Sequence, residues 1–186
     1  GLYRFHPDVI FVFIDTETLL GADVLALQNQ TETERAAFAD QKERECTALI
    51  ETLSRGTDAK IILHNFAVPT YSPLGILENK QRLGVIELIQ TLNAHMRDRY
   101  RDNPRVFVFD YDAFCARIGK ERVADPKMYY LGDLKLDFRN FHRLSHEYLA
   151  YLKPIANRSK KCLVLDLDNT LWGGVVADDG VEGIRL

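Results

Sequence analysis

Three short apolar runs, separated by long amphipathic stretches, constrain the fold of this chain more than any other feature. They are Val9-Ile10-Phe11-Val12-Phe13-Ile14, Lys60-Ile61-Ile62-Leu63-His64-Asn65-Phe66 and Arg105-Val106-Phe107-Val108-Phe109-Asp110. Each is rich in β-branched and aromatic residues, too short for a helix, and apolar at consecutive positions, the pattern of a strand buried on both faces. The first reads as a strand ending at Asp15, and Pro69 closes the second. Between them Thr31 and Glu34 form a capping box, after which Phe38, Cys46, Leu49, Ile50 and Leu53 recur at helical spacing until Gly56. That predicts a helix of about 22 residues. Leu77, Val85, Leu88, Ile89, Leu92 and Met96 mark a second helix. Strands alternating with helices mean βαβ crossovers, so the expected fold class is α/β, a three-layer parallel sheet with helices on both faces.

From Asp137 to about Ala156 a third helix carries Phe141, Leu144, Tyr148, Leu149 and Leu152, and Asn157-Arg158-Ser159-Lys160-Lys161 ends it as a linker. A new strand then begins at Cys162-Leu163-Val164-Leu165. The expected division is residues 1–158 as one domain and 159–186 as the start of another, since 186 residues suffice for one domain plus the edge of a second. Gly1 is not an initiator Met, and the first domain is expected to lack its first strand.

Charge and hydropathy exclude whole classes of function. Lys and Arg number 24 against 27 Asp and Glu, a net charge of −3, so no basic excess is available to neutralise a phosphate backbone and nucleic acid is not an expected partner. No apolar run approaches the ~20 residues that span a bilayer, so no membrane partner is expected. Cys46, Cys115 and Cys162 are odd in number and lie in apolar context, which reads as reduced core thiols of a cytoplasmic protein.

Leu163-Val164-Leu165-Asp166-Leu167-Asp168-Asn169-Thr170 carries the chemistry. An apolar strand there delivers two carboxylates and a hydroxyl at its C-terminal end, where open α/β sheets place ligands. Asp166 and Asp168 are one residue apart, so on an extended chain they share a side, and two like charges that close favour a bound cation or a shared proton. Mg²⁺ prefers oxygen ligands and fits such a pair, with a phosphate completing its shell. One carboxylate can then attack phosphorus while the other handles protons. The bland alternative is that both acids cap a turn between strand and helix. Leu171-Trp172-Gly173-Gly174 reads as a single turn, and Val175-Val176 with Asp178-Asp179-Gly180 as a hairpin.

An apolar strand followed by Asp-x-Asp-x-Thr resembles the first motif of the haloacid dehalogenase (HAD) superfamily, with the turn and hairpin in the places of its squiggle and flap. The longer run from Lys161 to Val176, with Asp179-Gly180-Val181-Glu182-Gly183-Ile184 and the upstream Asp125-Pro126-Lys127-Met128-Tyr129-Tyr130-Leu131, resembles the FkbH-like branch. The resemblance implies an SGNH-hydrolase-like (flavodoxin-like) domain over 1–158 followed by the first strand and flap of a HAD Rossmann-like domain. It implies Asp166 as nucleophile and Mg²⁺ ligand, Asp168 as general acid/base and second metal residue, and Thr170 as a supporting, substrate-binding residue. The implied activity, in polyketide and related pathways, is dephosphorylation of a glyceryl phosphate donor, a phosphorylated small molecule, and loading of its acyl group onto an acyl carrier protein. The remaining HAD motifs lie further along the family's chain than Leu186, so this segment alone is expected to be inactive. The alternative from another class is a non-catalytic SGNH-like scaffold that positions carrier protein or substrate.

The other polar positions carry weaker signals. An SGNH esterase needs a Ser nucleophile, an oxyanion-hole Asn and an Asp-x-x-His pair; Ile14-Asp15-Thr16-Glu17 stands where the Asn would be, and Asp137 is five residues before His142. His142 and His146 lie four apart on one helix face with no spaced acid or Cys to complete a metal shell, so a solvated face is the expected reading. Asp15, Thr16 and Glu17 either face a ligand or cap a turn. His64 and Asn65 either face the same crevice or, for His64, sit in the core. Arg97, Arg99, Arg101 and Arg105, mixed with Asp98 and Asp102, read as a solvated helix end.

Overall fold

Each of the three apolar runs forms a strand in the computed structural model, which describes residues 1–162 and 164–185. β1 (Val9–Val12), β2 (Lys60–His64) and β3 (Val106–Phe109) lie side by side in that order, all parallel, with Ile10 opposite Ile61 and Ile61 opposite Val106. The helices are α1 (Leu2–Phe5), α2 (Thr16–Leu20), α3 (Glu32–Gly56), α4 (Val85–Tyr100), α5 (Tyr111–Ile118), α6 (Pro126–Gly132), α7 (Phe141–Ile155) and α8 (Val176–Gly183). Contacts divide the chain into two units, Gly1–Ser145 and His146–Leu186.

In the first unit, strand order matches chain order, so both crossovers step the same way and right-handedness puts α3 and α4 on one face. Ile10, Ile61 and Leu63 there share a core with Ile50 of α3 and Leu88 and Ile89 of α4. Side chains alternate along a strand, so His64, next to Leu63, belongs to the opposite face. That face is aromatic: His64 lies 4.9 Å from Phe13, 4.8 Å from Phe109 and 5.3 Å from Tyr111, centroid to centroid, and Tyr111 stacks on Phe114 of α5. His64 is therefore a core residue, 1 % exposed.

The helix boundaries follow from who satisfies the end groups. At the start of α3 the capping box is present, with Thr31 N donating to Glu34 Oε2 at 2.7 Å and Glu34 N to Thr31 Oγ1 at 3.3 Å. The helix runs 25 residues and includes Gly56, longer than the glycine stop implies. The cause is Arg105, whose guanidinium donates to the carbonyls of Ser54 and Thr57 and so supplies partners that a helix C-terminus otherwise lacks. The second expected helix is split. Leu77 lies in a separate 3₁₀ turn, Gly75–Lys80, and α4 begins at Val85. Glu78 reaches from that turn to accept from Val85 N at 3.2 Å and Ile86 N at 2.8 Å, capping α4 from a distance. Gly84 permits this approach, because a Cβ there would lie 2.4 Å from Glu78 Oε1. The third helix, expected from Asp137, opens instead with a 3₁₀ turn, Phe138–Asn140, capped by Asp137 through Arg139 N at 2.8 Å.

The second unit corrects two expectations. Residues 164–167, expected as the first strand of a new sheet, are irregular, with Val164 86 % exposed; Leu163 lies outside the described residues. A lone strand leaves its backbone donors and acceptors to water, and none of the described strands pairs with this segment. The expected hairpin is helical: α8 occupies 176–183, broken at Gly180 (φ 67°). Asp179 makes the difference, its carboxylate accepting from Val175 N at 2.8 Å and its own N–H bonding Val175 O, an N-terminal turn that competes with strand pairing. The turn expected over 171–174 lies earlier, over 169–171, closed by Leu171 N donating to Leu167 O at 3.0 Å, while Trp172 and Gly173 make isolated bridges to Asp168 and Arg185. Of the thiols, Cys46 and Cys115 are buried, but Cys162 is exposed rather than in a core.

Burial pushes the His64 pKa down to about 4 from 6.5. The unfolded chain thus binds the extra proton between these values. The stability contributed by neutral His64 is complete above pH 6.5 and is lost as pH falls towards 4, by about 3 kcal/mol at most. Urea midpoints measured across this window fall with pH in the native protein and fall less in His64→Phe. An identical slope in the variant contradicts the assignment.

Candidate functional site

Asp166, Asp168 and Thr170 fall in the second unit, the two acids on the segment that leads into the turn over 169–171 and Thr170 within that turn. Asp168 is the anchored member. Its Oδ1 accepts from Trp172 Nε1 at 3.1 Å and from Val176 N at 3.2 Å, so one carboxylate oxygen ties the turn to the start of α8. Asn169, in the left-handed region (φ 56°), closes the loop by accepting from Gly174 N at 2.9 Å and donating its N–H to Gly174 O at 3.2 Å. Gly174 itself has φ 107°, which a side chain would strain. Asp166 is exposed, with one oxygen accepting from Leu167 N at 2.9 Å. Thr170 is exposed, its N–H turned to Leu167 O. The structure thus gives the two carboxylates different environments: one open to solvent, the other held by two donors.

Both carboxylates are hard oxygen donors of the kind Mg²⁺ takes, usually one or two of them with waters and phosphate completing the shell. Among the described residues no group of three or more His, Cys, Asp and Glu is placed to hold a metal. The donor types therefore suit Mg²⁺, while the ligands are too few for a protein cage.

In the first unit, polar residues collect at the C-terminal ends of the strands, the edge where parallel sheets bind ligands. After β1, Asp15 caps α2 by accepting from Thr18 N at 3.1 Å, and Thr16 Oγ1 donates to Ala67 O at 2.8 Å. After β2, Asn65 donates to Asp110 at 2.9 Å and accepts from Asp112 N at 2.9 Å, lashing β2 to β3. Asp112 also accepts from Val68 N at 2.6 Å and from Lys120 Nζ at 2.7 Å, and Lys120 donates to Val68 O at 2.6 Å.

A cleft of about 630 Å³ opens at this edge, between the segments that follow β1 and β2 and residues 120–135. At its polar side the Tyr129 hydroxyl donates to Glu17 Oε2, and Lys135 donates to that hydroxyl at 3.2 Å while lying 4.2 Å from the ring centroid. Lys135 also pairs with Asp133 at 2.9 Å and lies 3.8 Å from Asp15. Asp133 first, with Asp15 and Glu17, raises the lysine pKa above its ordinary value, so Lys135 is a fixed cation. Asp15 thus does both things the sequence left open, capping α2 and lining a cleft, while Glu17 lines the cleft from within α2. Lys120, Tyr129 and Lys135 were not singled out from the sequence. Their only signal was Asp125-Pro126, a helix start that brings Tyr129 to the edge.

Among the described residues lining the cleft there is no serine or histidine. Ser72 Oγ accepts from Leu74 N at 3.1 Å and Ser145 Oγ donates to Phe141 O at 2.9 Å, both local turn or helix contacts. His142 and His146 are exposed. Burial pushes the Cys115 thiol up to about 12 and Cys46 up to about 11, so neither is a thiolate nucleophile near neutral pH.

Comparison with known proteins bears on the first unit and on the fold of the chain. The family described as FkbH, N-terminal domain, matches residues 1–150. A solved structure, the N-terminal part of the protein BF1531 from Bacteroides fragilis containing a phosphatase domain complexed with Mg, is 26% identical with a TM-score of 0.74. The match covers 98% of this chain and 46% of that one, so the chain spans less than half of the structure it resembles. No curated protein matches the chain.

The Lys120 bridge holds the segment after β2 against α5. Lys120→Met leaves Val68 O and Asp112 short of a charged donor and lowers the unfolding free energy by about 1.5–3 kcal/mol in urea titration. A loss below about 0.5 kcal/mol contradicts the bridging role.

Proposed function

The chain belongs to the FkbH family through its N-terminal domain, and from that premise we propose that it is part of a Mg²⁺-dependent phosphatase/acyl transferase whose nucleophile is Asp166. The observation that carries the reading is the pair of unlike carboxylates: Asp166 open to solvent, Asp168 fixed two residues on by Trp172 and Val176. A nucleophile must be reachable, and an acid/base must be oriented. The magnesium named for the Bacteroides fragilis structure supports the ion. Asp166 and Asp168 would hold it, and when bound it supplies positive charge against the anionic phosphate.

An Asp166 carboxylate oxygen attacks phosphorus, forming an aspartyl phosphate as the bond to the leaving oxygen breaks, and Asp168 gives that oxygen a proton. Asp168 then takes the proton of a water that attacks the same phosphorus, releasing phosphate and regenerating Asp166. Thr170, exposed beside them, is the residue proposed to hydrogen-bond the phosphate. The donor is proposed, from the family resemblance, to be a phosphorylated glyceryl compound, and the acceptor of its acyl group an acyl carrier protein thiol in the cytoplasm. Among the described residues no helix is long and apolar enough to cross a membrane.

A second reading is favoured by the cleft in the first unit, whose described lining has polar residues but no serine or histidine: this SGNH-like part, proposed to run to residue 158, is a scaffold that positions carrier protein or substrate.

The test uses the whole protein with a phosphorylated donor and Mg²⁺. Asp166→Asn gives no acid-stable phosphoenzyme, whereas Asp168→Asn labels slowly with turnover reduced at least about a hundredfold. Full turnover by Asp166→Asn, or activity indifferent to EDTA, refutes the assignment.

A further inference from the structure

The cleft at the C-terminal edge of the first sheet is chemically specific, although nothing in the phosphatase reading uses it. Its volume of about 630 Å³ lies within the range of small-molecule sites. Its walls are apolar and partly rigid: Leu20 and Val85 are 4 % exposed and Tyr111 5 %, with Val68 and Pro69 half-buried beside them. Its ionised lining groups balance, Asp15 and Glu17 against Lys120 and Lys135.

Each of these charges already has a partner. Lys120 is bound by Asp112 and Val68 O, Lys135 by Asp133 and Tyr129, and Glu17 Oε2 by the Tyr129 hydroxyl. An anion seated at Lys135 also meets the carboxylates of Asp15 and Glu17, and a cation seated at Glu17 also meets Lys135, so either gains little. Two hydrogen-bonding positions remain. Lys135 has three donor protons, and its third neighbour, Asp15, is 3.8 Å away, beyond hydrogen-bond distance. Glu17 Oε1 accepts no hydrogen bond among the described residues, its partner being on Oε2. A donor and an acceptor held together by Tyr129, at the polar side of an apolar cleft, match a neutral group that both accepts and donates.

We propose that this cleft binds a neutral aliphatic amide, its carbonyl accepting from Lys135, its N–H donating to Glu17 Oε1, and its carbon chain lying against Leu20, Val85 and Tyr111. The inference deepens the scaffold reading, on which it rests for its place in the protein's work. It involves neither Asp166 nor Asp168, so the two fail separately.

Titration of the 186-residue chain with hexanamide, hexanoate and hexylammonium, followed by amide NMR shifts, tests it. Hexanamide gives saturable shifts that map to residues 15–24, 67–73 and 111–135, and the two ions bind at least about tenfold more weakly, the cost of one charged hydrogen bond. Glu17→Leu and Lys135→Met, both at the cleft's polar side, each weaken hexanamide at least about tenfold while the circular dichroism spectrum stays that of the native protein. Leu20→Trp, which fills the apolar wall, abolishes saturation. Should a variant melt early, the unmutated chain still decides, through the ranking of the three probes. Equal binding of amide, carboxylate and amine, no saturation by hexanamide up to about 10 mM, the weakest range in which a specific site would register, or native affinity in Glu17→Leu overturns the proposal. Loss of hexanamide binding with phosphoenzyme formation intact refutes the cleft and leaves Asp166 standing; the reverse result does the opposite.

Discussion

A parallel strand between two others has no solvent face to offer, and β2 shows the consequence: Ile61, Ile62, Leu63 and His64 are all within 1 % of complete burial. Everything polar must then leave the strand at its ends. On one face the aliphatic side chains of β2 meet α3 and α4; on the other, His64 is surrounded by Phe13, Phe109 and Tyr111, and burial pushes its pKa down to about 4. In the first unit a set of polar side chains gathers past the last strand residues. There Asn65 bridges to Asp110 and Asp112, and Asp15 begins α2. The cleft is therefore a product of the sheet: the segments leaving β1 and β2 diverge, and their polar side chains line the gap.

The second unit works by a different device. Without a paired strand to place the two aspartates, local hydrogen bonds place one of them: Asp168 gathers Trp172 and Val176, and Asn169 closes on Gly174. The motif's turn is thus built by side chains already in the motif, and Asp166 stands outside that network.

The sheet was legible in the sequence because burial on both faces leaves an unbroken apolar run, which few other structures produce. The start of α3 was legible because Thr31 and Glu34 form their cap locally. What was not legible depends on partners distant in sequence. Arg105 carries α3 through Gly56 from about fifty positions away, and Glu78 makes a separate turn of residues that helical spacing had joined to α4. Asp179 converts an apparent hairpin into a helical turn, a competition between a side chain and a strand partner that spacing alone does not decide. At the sites, the Asp166-x-Asp168-x-Thr170 motif announced itself by carboxylate spacing. The Glu17, Tyr129 and Lys135 cluster did not, because Glu17 lies more than a hundred residues from the other two and meets them only when the fold closes.

The claim that Asp166 rather than Asp168 bonds to phosphorus is tested most directly by locating the acyl phosphate. The whole protein is turned over with a phosphorylated donor, quenched in acid, reduced with borohydride and digested, and the peptide containing 162–185 is sequenced by tandem mass spectrometry. Borohydride reduces an aspartyl phosphate to homoserine, so the account predicts homoserine at position 166 and unmodified aspartate at 168. Homoserine at 168, or an unmodified peptide from protein that is turning over substrate, would contradict it.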